Sequence, residues 1–237
     1  MERPESVYDP IAAIYDAWSR AVTEDVAFYV DLARAAGGPI VELGVGTGRI
    51  AVPTAQAGVR VIGIDSSEGM LARCRSHAGA AGVSELLDLR LGDYRSPPVE
   101  ERVRLVTCPF RAYLHLWTDE ERLEALRAAY ALLEPGGRLV FDVFAPSRQD
   151  IRETDGRWLE REPGIWERAD WRPAERRLDL SVRGEAGETT MELAWLSAPE
   201  WRRLVLAAGF DSVELYGWFD GRGYRCGEDM VFSARRA

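Results

Sequence analysis

Apolar and polar positions alternate between two periods through the first 146 residues. Short apolar runs bounded by turn residues read as strands, and stretches with helical spacing separate them. Pro39-Ile40-Val41-Glu42-Leu43 predicts a buried strand stopped by Gly44, and Arg49 to Ala57 a helix ended by Gly58. Arg60 to Asp65 predicts a second strand, after which Ser66 or Ser67 caps a helix running towards Ala81. Leu86 to Leu91 and Val103 to Thr107 read as the third and fourth strands. Thr118-Asp119-Glu120-Glu121 opens a helix to Leu133 with a capping-box pattern, and Gly137 to Phe144 is a fifth strand. Such alternation implies an α/β fold with a doubly wound, mostly parallel sheet.

After Pro146 the helices between strands disappear. Gly164 to Trp171, Arg177 to Arg183 and Thr189 to Leu196 are β-like runs joined by turn residues, as in an antiparallel meander. A helix from Ala198 to Ala208 follows, then strands at Ser212 to Phe219 and Asp229 to Ala234 that close a seven-stranded sheet. The expected organisation is cap helices over 1–34, a main α/β domain from 35–146 and 197–237, and an antiparallel insert over 147–196 on the substrate side or at a homodimer face.

Composition narrows the function. Of 237 residues, 39 are acidic and 30 basic, a net charge of −9. That balance argues against a nucleic-acid grip, which gains its energy from phosphates. Every basic residue is arginine, so chemistry that needs a lysine is excluded. No apolar run approaches the roughly 20 residues of a membrane span, and Met1 to Glu5 lacks the pattern of a signal peptide. Cys74, Cys108 and Cys226 lie far apart and form no metal-binding pair, which leads us to expect a reducing, cytoplasmic setting and no metal.

The first strand runs into Glu42-Leu43-Gly44-Val45-Gly46-Thr47-Gly48. Glycines here let the backbone pass close beneath a ligand and expose amides at a helix N-terminus. A dinucleotide fingerprint, G-x-G-x-x-G, fails: counted from Gly44 it ends on Arg49, and from Gly46 on Ala51. Asp65, at the end of the second strand, either accepts both hydroxyls of a ribose or caps the next helix. Asp93, after Gly92 at the end of the third, either takes a base amino group or closes a turn.

Taken together, Glu42-x-Gly44-x-Gly46-x-Gly48, Asp65, Gly92-Asp93 and Leu133-x-Pro135-Gly136-Gly137 resemble the class I S-adenosylmethionine-dependent methyltransferases over about residues 35–146. The opening Tyr8-Asp9-x-Ile11-Ala12-x-x-Tyr15-Asp16 is similar to the N-terminal cap of their small-molecule branch, which includes amino-sugar and glycine N-methyltransferases and antibiotic-tailoring enzymes. The resemblance implies S-adenosylmethionine as cofactor, S-adenosylhomocysteine as product and a small-molecule acceptor. It implies that Glu42 and the glycines hold the methionine portion, Asp65 and Ser66 the ribose, and Met70, Gly92, Asp93 and Tyr94 the adenine. Tyr8 and Tyr15 would fold over the sulfonium end, with Pro109 beside it; aromatic faces attract such a cation.

Methyl transfer from an activated sulfonium needs alignment in a dry site, and a base where the nucleophile must lose a proton. The segment Cys108-Pro109-Phe110-Arg111-Ala112-Tyr113-Leu114-His115 should face the methyl group. His115 is the candidate base, while Phe110, Arg111 and Tyr113 line the acceptor pocket. Thr107-Cys108-Pro109-Phe110 lacks the Asp/Asn-Pro-Pro-aromatic run of base-amino methyltransferases and reverses the Pro-Cys order of RNA cytosine enzymes. Six of the eight tryptophans fall between Trp158 and Trp218, where they roof a pocket, fill the insert's core or form a dimer face. The expected activity is methyl transfer to nitrogen, less so to oxygen. A protein or tRNA methyltransferase and a non-methylating S-adenosylmethionine-binding protein are the alternatives, with a nicotinamide reductase a distant third.

Overall fold

A computed structural model describes residues 6–225 and 229–237 of the chain; Cys226 lies outside the described residues. The elements run α1 (Tyr15–Trp18), α2 (Glu24–Ala36), β1 (Ile40–Leu43), α3 (Ala51–Gln56), β2 (Val61–Asp65), α4 (Glu68–Ala80), β3 (Leu87–Leu91), β4 (Val103–Cys108), α5 (Asp119–Ala131) and β5 (Leu133–Phe144). There follow α6 (Arg148–Thr154), β6 (Trp158–Glu162), β7 (Ile165–Arg172), β8 (Arg177–Gly184), β9 (Gly187–Ala194), α7 (Ala198–Ala207), β10 (Ser212–Tyr216) and β11 (Asp229–Arg235).

Seven strands form one sheet in the order β10-β11-β5-β4-β1-β2-β3. β1 to β5 run parallel, and β11 is antiparallel to β5 and to β10. The chain moves outward from β1 to β3 and then returns to β4 on the other side of β1. The carboxyl ends of β1 and β4 therefore border the crevice where the strand order reverses, the usual ligand position in open α/β sheets.

Side-chain alternation explains why helices cover both faces. Val41, Ile62, Val106, Leu139, Phe141 and Phe232 pack with Leu126, Trp201 and Leu204 of α5 and α7. Residues of the opposite parity, Ile40, Val61, Leu105, Val140 and Val231, pack with Tyr29, Ala51, Leu71 and Cys74 of α2, α3 and α4. Two polar residues share the second parity, Glu42 on β1 and Asp142 on β5, and both are buried.

The insert is a four-stranded antiparallel sheet, β6-β7-β8-β9. Its first strand, β6, was not expected, because Trp158-Leu159-Glu160-Arg161-Glu162 alternates weakly and is half exposed. The α6 helix was also not expected; its capping box is built from Ser147 and Asp150. β5 begins at Leu133 rather than Gly137, since Leu133 pairs with Val103 and Gly136 donates to the Arg236 carbonyl. β10 ends at Tyr216 rather than Phe219, where Gly217 turns the chain by donating to the Arg222 carbonyl. Among the described residues no helix is long and apolar enough to cross a membrane.

Trp201 is wholly buried between Tyr113, stacked at 6.4 Å, and Phe141 at 5.6 Å. Trp201→Ala should therefore cost about 3–5 kcal/mol, read as a lowered urea midpoint with little change in slope.

Candidate cofactor and acceptor site

The turn after β1 is built by backbone geometry. Gly44, Gly46 and Gly48 have φ of 72°, 55° and 87°, values that side chains rarely tolerate. Space fixes Gly48 as well: a Cβ there would lie 2.6 Å from Cys74 Sγ. Over Gly46, in contrast, a Cβ would meet no protein atom within 4 Å, so this face of the turn is open. The Gly46 amide donates to Asp65 Oδ2 at 2.8 Å and the Ser67 amide to Oδ1 at 2.9 Å, so Asp65 ties the end of β2 to the turn. Burial raises the Asp65 pKa, and these backbone bonds oppose the rise.

Glu42 lies beneath the turn at 1% exposure, and its Oε2 has no hydrogen-bond partner. Burial pushes the carboxyl up to about 8, against the pull of Arg49. A buried, partnerless carboxylate oxygen is costly unless something else satisfies it. The amino group of an amino-acid moiety laid along the turn would do so.

At the end of β3, Asp93 is held by Arg95, whose amide and guanidinium bond both carboxylate oxygens at 2.6–3.1 Å. Burial raises this carboxyl, but the Arg95 bonds outweigh burial and leave it below its usual range. A cavity of about 260 Å³ opens here, lined by Ser66, Asp93, Tyr94, His115, Leu116 and Trp117. A second, of about 300 Å³, lies behind the turn between α2 and α3, with Val26, Thr47 and Val52 in its wall. The smaller one has in its wall Ser66, the residue after Asp65, together with Asp93, and it is the one suited to a nucleoside. Gly92 sits tightly under Pro98, where a Cβ would lie 2.6 Å from its Cδ.

The N-terminal cap closes the other side. Tyr8 and Tyr15 meet edge to face at 5.8 Å, and Tyr15 meets Phe110 likewise at 6.4 Å. Three cap aspartates fasten these rings to the main domain. Asp9 Oδ1 accepts from the Ser67 hydroxyl and from the Gly69 amide at 3.1 Å. Asp16 accepts from Arg73 Nη2 at 2.6 Å, and Asp25 receives both Arg49 terminal nitrogens at 2.6 Å. Arg49 also lies over the Phe110 ring, 4.4 Å from its centroid. The insert holds the cap as well: Trp18 Nε1 donates to Glu167 of β7 at 2.7 Å, and the Thr189 hydroxyl of β9 donates to the Val7 carbonyl at 2.6 Å.

The Tyr8 hydroxyl lies 2.7 Å from His115 Nε2, and burial alone pushes this imidazole down to about 4. His115 is therefore neutral near pH 7. A neutral Nε2 facing a phenol accepts its proton in a hydrogen bond, which leaves the lone pairs of the phenol oxygen free.

The expected site residues divide accordingly. Ser66, Asp93, Tyr94 and His115 line one cavity; Tyr8 joins them through His115, Tyr15 through Tyr8 and Phe110 through Tyr15, while Gly46 is tied to Asp65 and Glu42 lies buried at the end of β1 between Val41 and Leu43. Met70 is buried under the cap, clustered with Ile11 and Tyr15. Tyr113, expected in the acceptor pocket, is fully buried in the core against Phe141 and Trp201 and does not reach it. Arg111 is occupied by Asp229, at 2.9 Å, and lies over the Phe144 ring at 5.0 Å. His77 is half-buried and bonds the Thr47 carbonyl at 2.9 Å. Of the insert's tryptophans, Trp171 packs edge to face on Trp195 at 5.5 Å.

Residues 40–137 match the family described as Methyltransferase domain. This chain carries a methyltransferase domain. The solved structure of the CcbJ methyltransferase from Streptomyces caelestis superposes with a TM-score of 0.84, at 29% identity over 100% of both chains. CalS10 from Micromonospora echinaspora, an amino pentose methyltransferase solved with S-adenosylmethionine bound, superposes at 0.67 with 25% identity, covering 100% of this chain and 99% of its own. The cypemycin N-terminal methyltransferase of a Streptomyces species is 25% identical over 202 residues, 79% of this chain and 78% of that protein. Of other curated methyltransferases, matched at 27%, 35% and 31% identity, the chain spans about half the length. S-adenosylmethionine is the cofactor of this domain type, and the fold is its Rossmann-like one. The open turn, the partnerless Glu42 oxygen and Asp65 fit that cofactor.

Glu42 also predicts a trade between stability and binding. A carboxyl raised in the folded state binds more protons than in the unfolded chain, so it destabilises increasingly as pH rises from its unfolded value towards about 8. Glu42→Gln should stabilise the ligand-free protein, on the order of 2 kcal/mol at pH 8. The same change should weaken binding of S-adenosylhomocysteine, with thermal melts and calorimetry reading the two effects separately.

Proposed function

We propose that the chain transfers the methyl group of S-adenosylmethionine to a nitrogen of a small molecule. The observation that carries the reading is the buried, partnerless Glu42 oxygen beneath an open glycine turn, faced across the crevice by Tyr8, Tyr15 and Phe110. The nitrogen acceptor is supported by two relatives, one named an amino pentose methyltransferase and the other an N-terminal methyltransferase.

The cofactor supplies a methyl group already activated on a positive sulfur, so the protein's work is binding and alignment. Glu42 holds the amino group of the methionine portion, Asp65 the ribose hydroxyls, and Ser66, Gly92, Asp93 and Tyr94 frame the adenine end. Tyr8, Tyr15 and Pro109 border the sulfonium, where the ring faces favour positive charge and the cap excludes water. An amine must reach the site as the free base, with its lone pair towards the methyl. The Tyr8 oxygen accepts its N–H once His115 Nε2 has engaged the phenol proton, so His115 acts through Tyr8. Phe110 and Arg111 form the acceptor-side wall.

Calorimetry with S-adenosylhomocysteine should give a dissociation constant on the order of micromolar, and Asp65→Ala or Asp65→Asn should weaken it about tenfold or more. Labelled S-adenosylmethionine offered with a panel of amino sugars, amino acids and short peptides should mark an amine. Heat absent with the wild-type chain defeats the cofactor site, and label found only on hydroxyl acceptors defeats the nitrogen assignment.

Tyr8→Phe should lower kcat about 10²-fold with little change in S-adenosylhomocysteine affinity. His115→Ala should do less, and the double variant should be no worse than Tyr8→Phe, since neighbouring groups acting as one unit are not additive. Full additivity in single-turnover rates would separate the two roles.

A further inference from the structure

The segment after β4 contains two consecutive non-glycine residues in the left-handed region, Phe110 at φ 57° and Arg111 at φ 63°. Side chains disfavour that conformation, so two in succession require a local cause. The cause is Asp142. Its Oδ1 accepts from the Phe110 amide at 2.9 Å, and its Oδ2 from the Arg111 amide at 3.0 Å. Successive amides in a turn form a concavity that takes an anion. Here a carboxylate from the neighbouring strand fills it, 3% exposed in the middle of the apolar run Leu139 to Phe144. Tyr29 of α2 donates a third bond, to Oδ1 at 2.6 Å.

We propose that Asp142 is a positioning residue that clasps the Phe110–Arg111 turn and so sets the acceptor-side wall of the site. The proposal rests on the methyltransferase reading for what the wall does, but the clasp is a property of the chain itself. Both side chains it places are engaged elsewhere: Phe110 lies under Arg49 and against Tyr15, and Arg111 bonds Asp229 across β11. Releasing the two amides therefore frees the aromatic wall and its ion pair together.

The clasp requires a carboxylate. Protonation places an O–H on an oxygen that already faces amide donors, so an acceptor site is lost and two donors are opposed. The groups facing Asp142 are Tyr29 and Asp25 on α2, Arg49 from the turn after β1, Cys108 and Arg111 at the end of β4, and Asp229 on β11. Burial dominates and pushes the carboxyl up to about 6; the Tyr29 bond and Arg111 oppose the rise, while Asp25 and Asp229 add to it. The turn should accordingly be held above that pH and loosen below it.

The test is amide hydrogen exchange at Phe110 and Arg111 in the full chain, followed by NMR from pH 5 to 8 and expressed as protection relative to free peptide. Calorimetry with S-adenosylhomocysteine is run on the same samples. In the wild type, protection of these two amides should fall about tenfold as pH drops through 6. Asp142→Asn should show low protection at every pH and an affinity for S-adenosylhomocysteine reduced about fivefold. Tyr29→Phe, which keeps the carboxylate and removes the bond that lowers its pKa, should shift the midpoint of the protection change to higher pH. That shift is one that a merely space-filling Asp142 would not produce. Wild-type protection in Asp142→Asn, an unshifted midpoint in Tyr29→Phe, or lost protection with unaltered affinity each overturns the proposal. Amides that behave as described in a chain giving no heat with S-adenosylhomocysteine support the clasp and count against the methyltransferase reading.

Discussion

Everything at the site follows from carboxylates taken out of water at the carboxyl ends of parallel strands. Glu42, Asp65 and Asp142 stand at or near the ends of β1, β2 and β5, in the part of the sheet where the strand order reverses. Each is raised above its ordinary range by burial, and each meets that cost differently. Asp65 accepts the Gly46 amide of the glycine turn and the Ser67 amide before α4, Asp142 accepts those of the turn after β4, and Glu42 keeps an oxygen without a partner. Asp142 thus shapes the protein's own backbone, Asp65 does so with lone pairs left for the proposed ribose, and Glu42 is left for something that binds. The division explains why one crevice holds both rigid turns and an unmet polar need, a combination that structural residues alone avoid.

The cap is fastened by the same chemistry with the direction reversed. Asp9, Asp16 and Asp25 reach from the N-terminal segment to donors on α4 and on the glycine turn, and Arg49 joins the cap to Phe110. Two of these acids directly follow Tyr8 and Tyr15, so a ring that covers the crevice and the anchor that holds it come as adjacent residues. Arginine suits this construction. Its planar fork bonds Asp25 through two nitrogens while its face lies on an aromatic ring, which a lysine ammonium cannot do.

Much of this was legible in the chain. β1, β2 and β4 were visible as largely buried apolar runs, and β3 as the alternation Leu87-Asp88-Leu89-Arg90-Leu91 of a half-buried strand. The turn, Asp65 and the Tyr-Asp pairs were visible because glycine spacing and residue order carry the constraint. β6 and α6 were hidden, since a half-exposed strand of tryptophan, glutamate and arginine has too little contrast. Tyr113 was misplaced because the short 3₁₀ turn at Ala112–His115 sends neighbouring residues in different directions: His115 to the crevice and Tyr113 into the core. Asp142 was missed although its signal was present, a lone acid inside Leu139-Val140-Phe141-Asp142-Val143-Phe144. A charge in a run that must be buried calls for a partner, and here the partner was backbone, which leaves no trace in side-chain patterns.

At the tip of the last hairpin of the insert, a Cβ on Gly187 would collide with the Pro10 carbonyl oxygen, and Thr189, two residues along the same strand, bonds the Val7 carbonyl. The two stretches are some 180 residues apart in the chain, yet neither has room to change alone. Any bulk added at Gly187 must be met by a shift of the opening segment's backbone. In evolution they should drift as a matched pair, and a graft of the insert from one relative to another should succeed only when the opening segment travels with it.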